Sequence, residues 1–420
     1  MNIYFSGIGG VGIGPLAEIA LDAGHTVLGS DPADSLMTAQ LKSKGVEICK
    51  NQDGNFLLEQ HNKLKIDRFV YTSALPADHP ELVMAKNLGI HSAKRDEMLA
   101  YIIRERNLKL IAISGTHGKT TTSAMFVWAL MKLDIPVSYS VGTTLPFGPS
   151  GKLDKNSEYF VYECDEFDRN FLHFHPYLAL LTSIDFDHSD TYSSAQDYLD
   201  SFRQFAAQSK QVITWEDQHA EIFEGLSTVQ TLSTSDIKDV RLVGQHNRKN
   251  ATLVDQGLNY LGLKVDINEI MSDFPGVGRR FEKLADNLYS DYGHHPVEIA
   301  ASLQMAREIS DHVVLIYQPH QNIRQHEIIK NNQYTNQFEL AEEIYWLPTY
   351  LSREDPNLPV LQPEDLIKNI TNKDSVHIAD FDDKLWEVIQ NARKDGKLVV
   401  CMGAGKIDGW VRERLTNTTE

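Results

Sequence analysis

The sequence predicts three consecutive α/β domains, each a parallel sheet wrapped by helices. Three observations predict it. Short apolar runs alternate with helical patterns along the whole chain, which is the signature of parallel strands joined by helical crossovers. That alternation breaks twice, at the charged stretch IRERN (residues 103–107) and at the glycine-rich FPGVGRRF (residues 274–281). Two glycine-bearing loops each follow a strand and open a helix, as phosphate-binding loops do.

In the first domain, residues 1–105, NIYFSG is a strand, a glycine loop follows, and PLAEIALDAG is a helix before the strand TVLGSD. RFVYTSA and ELVMAKNLG continue the series as strand and helix. The second domain, residues 106–273, starts with the strand KLIAISG and the helix SAMFVWALMKL. Its further strands are EYFVYE, YLALLTSID and QVITW, and NATLVDQGLNYLGL closes it as a helix. In the third domain, residues 274–420, LYSDY, HVVLIYQ, EEIYWLP and KLVVCMG are strands separated by helices. No internal repeat interrupts this order.

Composition narrows the function. A 420-residue chain with 42% hydrophobic and 23% charged residues has the make-up of a globular protein of two or three domains. Its net charge of −18 argues against a nucleic-acid partner, which calls for a basic face. Any phosphorylated ligand must therefore be held by local devices: helix N-termini, single Lys or Arg residues, and Mg²⁺. Cys49, Cys164 and Cys401 are far apart and suggest neither a disulfide framework nor a zinc site. No apolar run is long enough to span a membrane, and Met1-Asn2 leads directly into a strand, so the expected location is cytoplasmic.

The chemistry lies in the loops. Gly7-x-Gly9-x-x-Gly12 follows the first strand and Asp31 ends the second. This fits a Rossmann-like loop that brings backbone N–H groups to a pyrophosphate; NAD and a UDP-sugar both carry that group. AISGTHGKTTTS (residues 112–123) has the Gly118-Lys119-Thr120 ending of a phosphate loop, with Ile113 where the usual first glycine stands. Lys119 suits the β- and γ-phosphates and the Thr120 hydroxyl suits Mg²⁺. EYFVYE closes on Glu163, and the strand LALLTSIDFDH runs into Asp187 and His188. Loops at strand C-termini gather on one sheet edge, so Glu163 and His188 are expected to face Lys119 and hold metal. The competing reading of ECDEFD is a solvated acidic loop, and of DHSD a helix cap.

Taken in order, GTHGKTTT, YECDEF, FDHSDTY, GQHNRKN, GVGRRFE, SDYGHHP and QPH resemble the motifs of the Mur ligases, the amino-acid-adding enzymes of peptidoglycan synthesis. GIGGVGIGPLAE, LGSD and the late MGAG are most similar to the alanine-adding branch. The resemblance implies ATP-driven amide formation on UDP-N-acetylmuramate through an acyl phosphate, with L-alanine as the amine. A recycled murein tripeptide is the alternative amine. It further implies that Gly7, Gly9, Gly10 and Gly12 hold the UDP pyrophosphate, with Asp31, Ser73 and Arg95 nearby. Gly115, Thr116, Gly118, Lys119, Thr120 and Thr121 would line the ATP phosphates, and Thr120, Glu163 and His188 would carry Mg²⁺. His246 and Asn247 match an adenine motif, and Arg280 and Asp291 would approach ATP. His294, His320, Gln321 and Arg324 would face the amino acid. The implied partners are small molecules, with the chain a monomer or homodimer.

Some positions depart from that pattern. Gln321 stands where an arginine usually follows Gln-Pro-His, and Phe167 and Phe186 lean toward the tripeptide ligases. The stretch 209–244 is short, so a small β-region of the central domain is expected to be reduced. DYLDSFRQF offers Arg203 but no lysine for carbamylation. An NAD-dependent dehydrogenase leaves the second loop and RRFE without a role, and a non-catalytic UDP-sugar regulator leaves Lys119, Glu163 and His188 unexplained.

Overall fold

The computed structural model describes residues 1–72, 75–188, 191–352 and 354–417. The first sheet holds β1 (Asn2–Ser6), β2 (Thr26–Ser30), β3 (Glu47–Cys49), β4 (Arg68–Tyr71) and β5 (His91–Lys94). Its order is β3-β2-β1-β4-β5, all parallel, so the chain reverses direction of winding beside β1. Ligands of such sheets bind at that switch point, and the glycine loop leaves β1 there.

The second sheet holds β6 (Lys109–Ser114), β7 (Val137–Ser140), β8 (Gly151–Lys152), β9 (Tyr159–Glu163), β10 (Leu178–Leu181), β11 (Val212–Trp215) and β12 (Val229–Leu232). The order is β12-β11-β10-β6-β9-β7-β8, and β8 alone runs antiparallel to its neighbour. β6 is central and almost wholly buried, which is why KLIAIS reads as an unbroken apolar run rather than an alternating one. The phosphate-type loop follows it.

The third sheet holds β13 (Glu282–Ala285), β14 (Leu288–Asp291), β15 (Val313–Tyr317), β16 (Glu343–Trp346), β17 (Val376–Ile378) and β18 (Leu398–Met402). Its order is β13-β14-β18-β15-β16-β17, parallel except for the β13–β14 hairpin.

The three sheets group into two compact units. One comprises 1–238 and 250–274; the other comprises 239–249 and 275–420. The first two sheets share a unit because one apolar core runs through both. Ile13 and Leu16 of the first helix pack with Met98, Leu99 and Ile102 of the helix Arg95–Glu105, and these continue into Leu110, Phe160 and Tyr162. IRERN is therefore no free linker: Ile103 belongs to that core, and only the charged residues after it are surface. The closing helix also begins earlier than its apolar spacing suggests, at Gln245, so QHNRK forms its first turns.

Candidate functional site

In the glycine loop, the N–H groups of Gly7 and Ile8 donate to the Ser30 carbonyl at 2.8 and 3.0 Å, fixing the loop to the end of β2. Asp31 accepts from the Gly9 N–H (2.8 Å) and the Ala33 N–H (3.0 Å), so its carboxylate shapes the loop. Gly10 donates to the Gly7 carbonyl (3.0 Å), and Gly12 caps the helix Ile13–Asp22. A side chain at Gly12 would meet Arg95, whose Nη1 lies 3.1 Å from an ideal Cβ there. Asp96 grips the Arg95 guanidinium through two bonds, at 3.0 and 3.1 Å, and also accepts from the Tyr162 hydroxyl. Ser73 lies outside the described residues.

A cavity opens beside these groups, lined by Val11, Gly12, Arg95, Gly142, Glu163 and Asp165 among others. It joins the glycine loop of the first sheet to the carboxylates at the end of β9.

Around the second loop, Gly118 takes φ +84° as the helix Lys119–Lys132 begins. Left-handed backbone there favours glycine and turns the loop into the helix N-terminus, which attracts anions. Gly115 packs against the Ser183 backbone, and the Thr116 hydroxyl donates to the Asp185 carbonyl at 2.7 Å, so both tie the loop to residues 182–188. Thr121 is half-buried in the first helical turn. Thr120 donates its hydroxyl to Glu163 Oε1 (2.7 Å), and Glu163 Oε2 accepts the Gly142 N–H (2.7 Å).

Lys119 Nζ lies 2.9 and 3.1 Å from the two Glu166 oxygens and 2.5 Å from the Gly115 carbonyl. Burial alone would lower its pKa, but Glu166, Asp165 and Glu163 outweigh burial and hold it above the ordinary lysine value. His188 Nε2 sits 3.5 Å from Glu166 Oε1. Burial opposes its charge as well, and Glu166, Asp187 and Asp165 prevail, raising its pKa.

One expectation is corrected here, and one competing reading falls. β10 ends at Leu181, so Asp187 and His188 belong to the loop beyond it, where His188 takes φ +60°. ECDEFD is not a solvated loop: Glu166 is fully buried, and Phe167–His173 is a 3₁₀ turn. The ligand atoms of Asp165, Glu166 and His188 come within 4.8 Å of one another. That trio contains His188 of the expected metal set, whereas Thr120 and Glu163 form a separate contact. Neither Asp165 nor Glu166 stands out in sequence from a surface acid. Asn250 is a further residue that sequence reasoning passed over; its Oδ1 lies 3.1 Å from where a Cβ on Gly118 would sit.

In the second unit, both Asp291 oxygens are committed to structure. They accept from the Phe281 and Gly293 N–H groups (2.7 and 2.8 Å) and from Ser302 (2.9 Å). The Arg279 and Arg280 guanidinium groups both lie over the Tyr292 ring, 4.6 and 4.8 Å from its centre. His294 Nε2 lies 2.8 Å from Arg324 Nη1. Arginine only donates, so this nitrogen accepts and the ring proton resides on Nδ1, facing the Tyr292 carbonyl at 3.2 Å. His320 stacks on Tyr350 and meets the His294 ring edge-on at 5.4 Å. Gln321 begins the helix Asn322–Lys330 at φ +60°, with its N–H on the Tyr350 carbonyl. His246 and Asn247 lie in the first turn of the helix Gln245–Tyr260, where Asn247 donates to the Val243 carbonyl (2.9 Å).

Burial lowers the His294 pKa to about 4, against an ordinary 6.5, and His246 and His320 shift the same way. Between those values the unfolded chain binds protons that the folded one refuses. Stability from these rings is thus complete above pH 6.5 and is lost as pH falls toward 4. Melting temperature should drop across that window, with a shallower slope in His294→Gln. Equal slopes in the two proteins would contradict the buried neutral imidazole.

Residues 2–107 match the family described as Mur ligase family, catalytic domain, and residues 113–277 match the Mur ligase middle domain. The UDP-N-acetylmuramate–L-alanine ligase of Rhizobium meliloti is 32% identical, over 97% of this chain and 95% of its own length. The enzyme of the same name from Coxiella burnetii is 30% identical, over 97% and 96%. Among solved structures, a UDP-N-acetylmuramate–alanine ligase of Thermotoga maritima has the same fold, with TM-score 0.73 at 23% identity over 100% of this chain and 99% of that one. A murein peptide ligase of Psychrobacter arcticus has TM-score 0.63 at 23% identity, over 99% and 98%.

Proposed function

The chain belongs to the Mur ligase family, and from that membership we propose that it joins L-alanine to UDP-N-acetylmuramate with cleavage of ATP. It is an ATP-dependent, amide-bond-forming ligase. The lactyl carboxylate attacks the γ-phosphorus in line, releasing ADP and leaving an acyl phosphate. The alanine amine then displaces phosphate. Such phosphoryl transfer is accelerated mainly by positioning and by neutralising charge on the transferring group.

One observation carries the assignment of residues: a single cavity in the first unit runs from Gly12 and Arg95 to Glu163 and Asp165. A sugar nucleotide whose pyrophosphate lies on the glycine loop would reach from there toward the phosphate loop. Labour divides accordingly over domains 1–105, 106–273 and 274–420. Gly7, Gly9, Gly10, Gly12 and Arg95 would hold the UDP-sugar. Lys119, with Gly115, Gly118 and Thr121, would hold the ATP phosphates. Thr120, Glu163 and His188 would hold Mg²⁺, and the oxygens of the first two suit that hard cation. Bound there, Mg²⁺ would neutralise phosphate charge. His246 and Asn247 would serve the adenine, and Arg280 and Asp291 would approach ATP from the third domain, Asp291 by bracing the Phe281 and Gly293 turns. His294, His320, Gln321 and Arg324 would receive the amino acid. Because the reaction draws on ATP and a nucleotide sugar, we place it in the cytoplasm; among the described residues no helix is long and apolar enough to cross a membrane.

The test is amine-dependent ADP release with UDP-N-acetylmuramate, offering L-alanine, other amino acids and the murein tripeptide, with the products weighed. Release without any amine requirement would refute the ligase reading.

Gln321 favours keeping the tripeptide in that panel. It caps the helix that carries Arg324 in its first turn. An arginine at 321 would add a charge-assisted bond to the free carboxylate of alanine, worth about 1.5–3 kcal/mol, or roughly 10-fold or more in affinity. A peptide presents a neutral amide at that point. Gln321→Arg is therefore expected to lower the KM for L-alanine and leave a peptide unimproved. An unchanged KM for alanine would mean that residue 321 does not face the carboxylate.

A further inference from the structure

Glu166 is a fully buried carboxylate in the loop after β9. A buried carboxylate that merely supports a fold usually ties scaffold groups together, because an unpaired one is costly. Among the described residues, the side-chain partners of Glu166 are instead Lys119, at 2.9 and 3.1 Å, and His188, at 3.5 Å. Its backbone is anchored independently: the Glu166 carbonyl accepts the Tyr192 hydroxyl at 2.5 Å and the Arg169 N–H at 3.1 Å. The carboxylate therefore projects from a fixed point onto the lysine of the phosphate-type loop. The other acceptors of that ammonium are the Gly115 and Thr116 carbonyls, at 2.5 and 3.3 Å, which belong to the loop itself.

We propose that Glu166 is a positioning residue for the ligase reaction, holding the Lys119 ammonium in place for the triphosphate. The loop carbonyls are the contacts that a phosphate oxygen replaces, and Glu166 is the contact that stays. An ammonium has three donors, so one charged anchor leaves donors for phosphate without letting the flexible four-carbon stem wander. The inference rests on Lys119 being the nucleotide lysine.

Glu166→Gln preserves the shape and removes the charge. It is expected to lower kcat about 10-fold or more, while the KM for UDP-N-acetylmuramate changes less than about twofold. The discriminating measurement is a double-mutant cycle on binding of Mg²⁺–β,γ-imido-ATP by calorimetry. Glu166→Gln should weaken this analogue several-fold in the wild-type background and have no further effect beside Lys119→Ala. Equal effects in both backgrounds would overturn the proposal, and so would a wild-type kcat in the single variant. Glu166→Asp guards against a folding defect: it keeps the charge on a shorter arm and should retain more turnover than Glu166→Gln. The reverse order would also overturn it. A wild-type chain with no affinity for the analogue would instead remove the nucleotide reading of Lys119, so the two failures are distinguishable.

Discussion

Lys119→Ala is expected to abolish turnover, by at least about 10³-fold, while leaving the affinity for UDP-N-acetylmuramate within a factor of about two. The Lys119 ammonium is the cation of the second loop, and no other Lys or Arg is bonded to Glu166 among the described residues. The sugar nucleotide depends on a different loop. Gly7 and Gly9 follow the first strand and are fastened to Ser30 and Asp31, on a different sheet from Lys119. The substitution also leaves Glu166 buried with His188 as its remaining partner. Breaking a buried pair from one side costs about 3–5 kcal/mol, so a lower melting temperature is expected alongside the lost activity. Combining Lys119→Ala with Glu166→Gln should recover part of that melting temperature and none of the turnover. Calorimetry with UDP-N-acetylmuramate on the folded variant decides the main point: loss of sugar binding would end the two-loop assignment.

The sequence was most informative where structure is local. LIAIS, VVLIY and LVVCM are central parallel strands buried on both faces, so their apolar runs are unmistakable. Strands at or near sheet edges were not legible. EIC, HSAK, VQTL and VHI are short, half-exposed and polar, and they become strands only because a neighbour supplies the ladder. The loops were legible for another reason: Gly-Lys-Thr and the spaced glycines satisfy a backbone geometry that few other residues can.

What escaped was everything set by distant partners. Asp165 and Glu166 look like surface acids until Lys119 and His188 arrive from other loops and pair with Glu166. Arg95 and Asp96 sit at the start of an ordinary helix, yet Asp96 meets Tyr162 of the next domain and thereby aims Arg95 at the cavity. The same long-range packing merges two sequence domains into one compact unit. Backbone strain was also invisible. Positive φ at His188, Arg279 and Gln321 costs energy for residues with a Cβ, and such outliers collect at functional positions.

Glu163→Gln is the second substitution with a large expected effect, because Glu163 holds two loops and, in the reading proposed above, a metal. Its oxygens accept from the Thr120 hydroxyl and the Gly142 N–H, both at 2.7 Å. Glutamine can keep both contacts. Its oxygen takes the Gly142 N–H and its amide donates to Thr120, whose hydroxyl turns round to accept. The fold should therefore survive, with little change in melting temperature or UDP-sugar binding. What glutamine cannot supply is the negative charge that a hard divalent cation demands. The rate at low Mg²⁺ should fall by about 10²-fold or more, with partial recovery as Mg²⁺ is raised. His188→Ala should move the Mg²⁺ requirement in the same direction. Gly142→Ala provides a charge-neutral check on geometry: its Cβ would lie 2.9 and 3.0 Å from the two Glu163 oxygens and must push the carboxylate aside. It should slow turnover without removing any charge. Initial rates against Mg²⁺ concentration for these variants separate the two roles. If Glu163→Gln keeps the wild-type rate at low Mg²⁺ while Gly142→Ala is slow, Glu163 acts as a strut between the loops and the metal is held elsewhere.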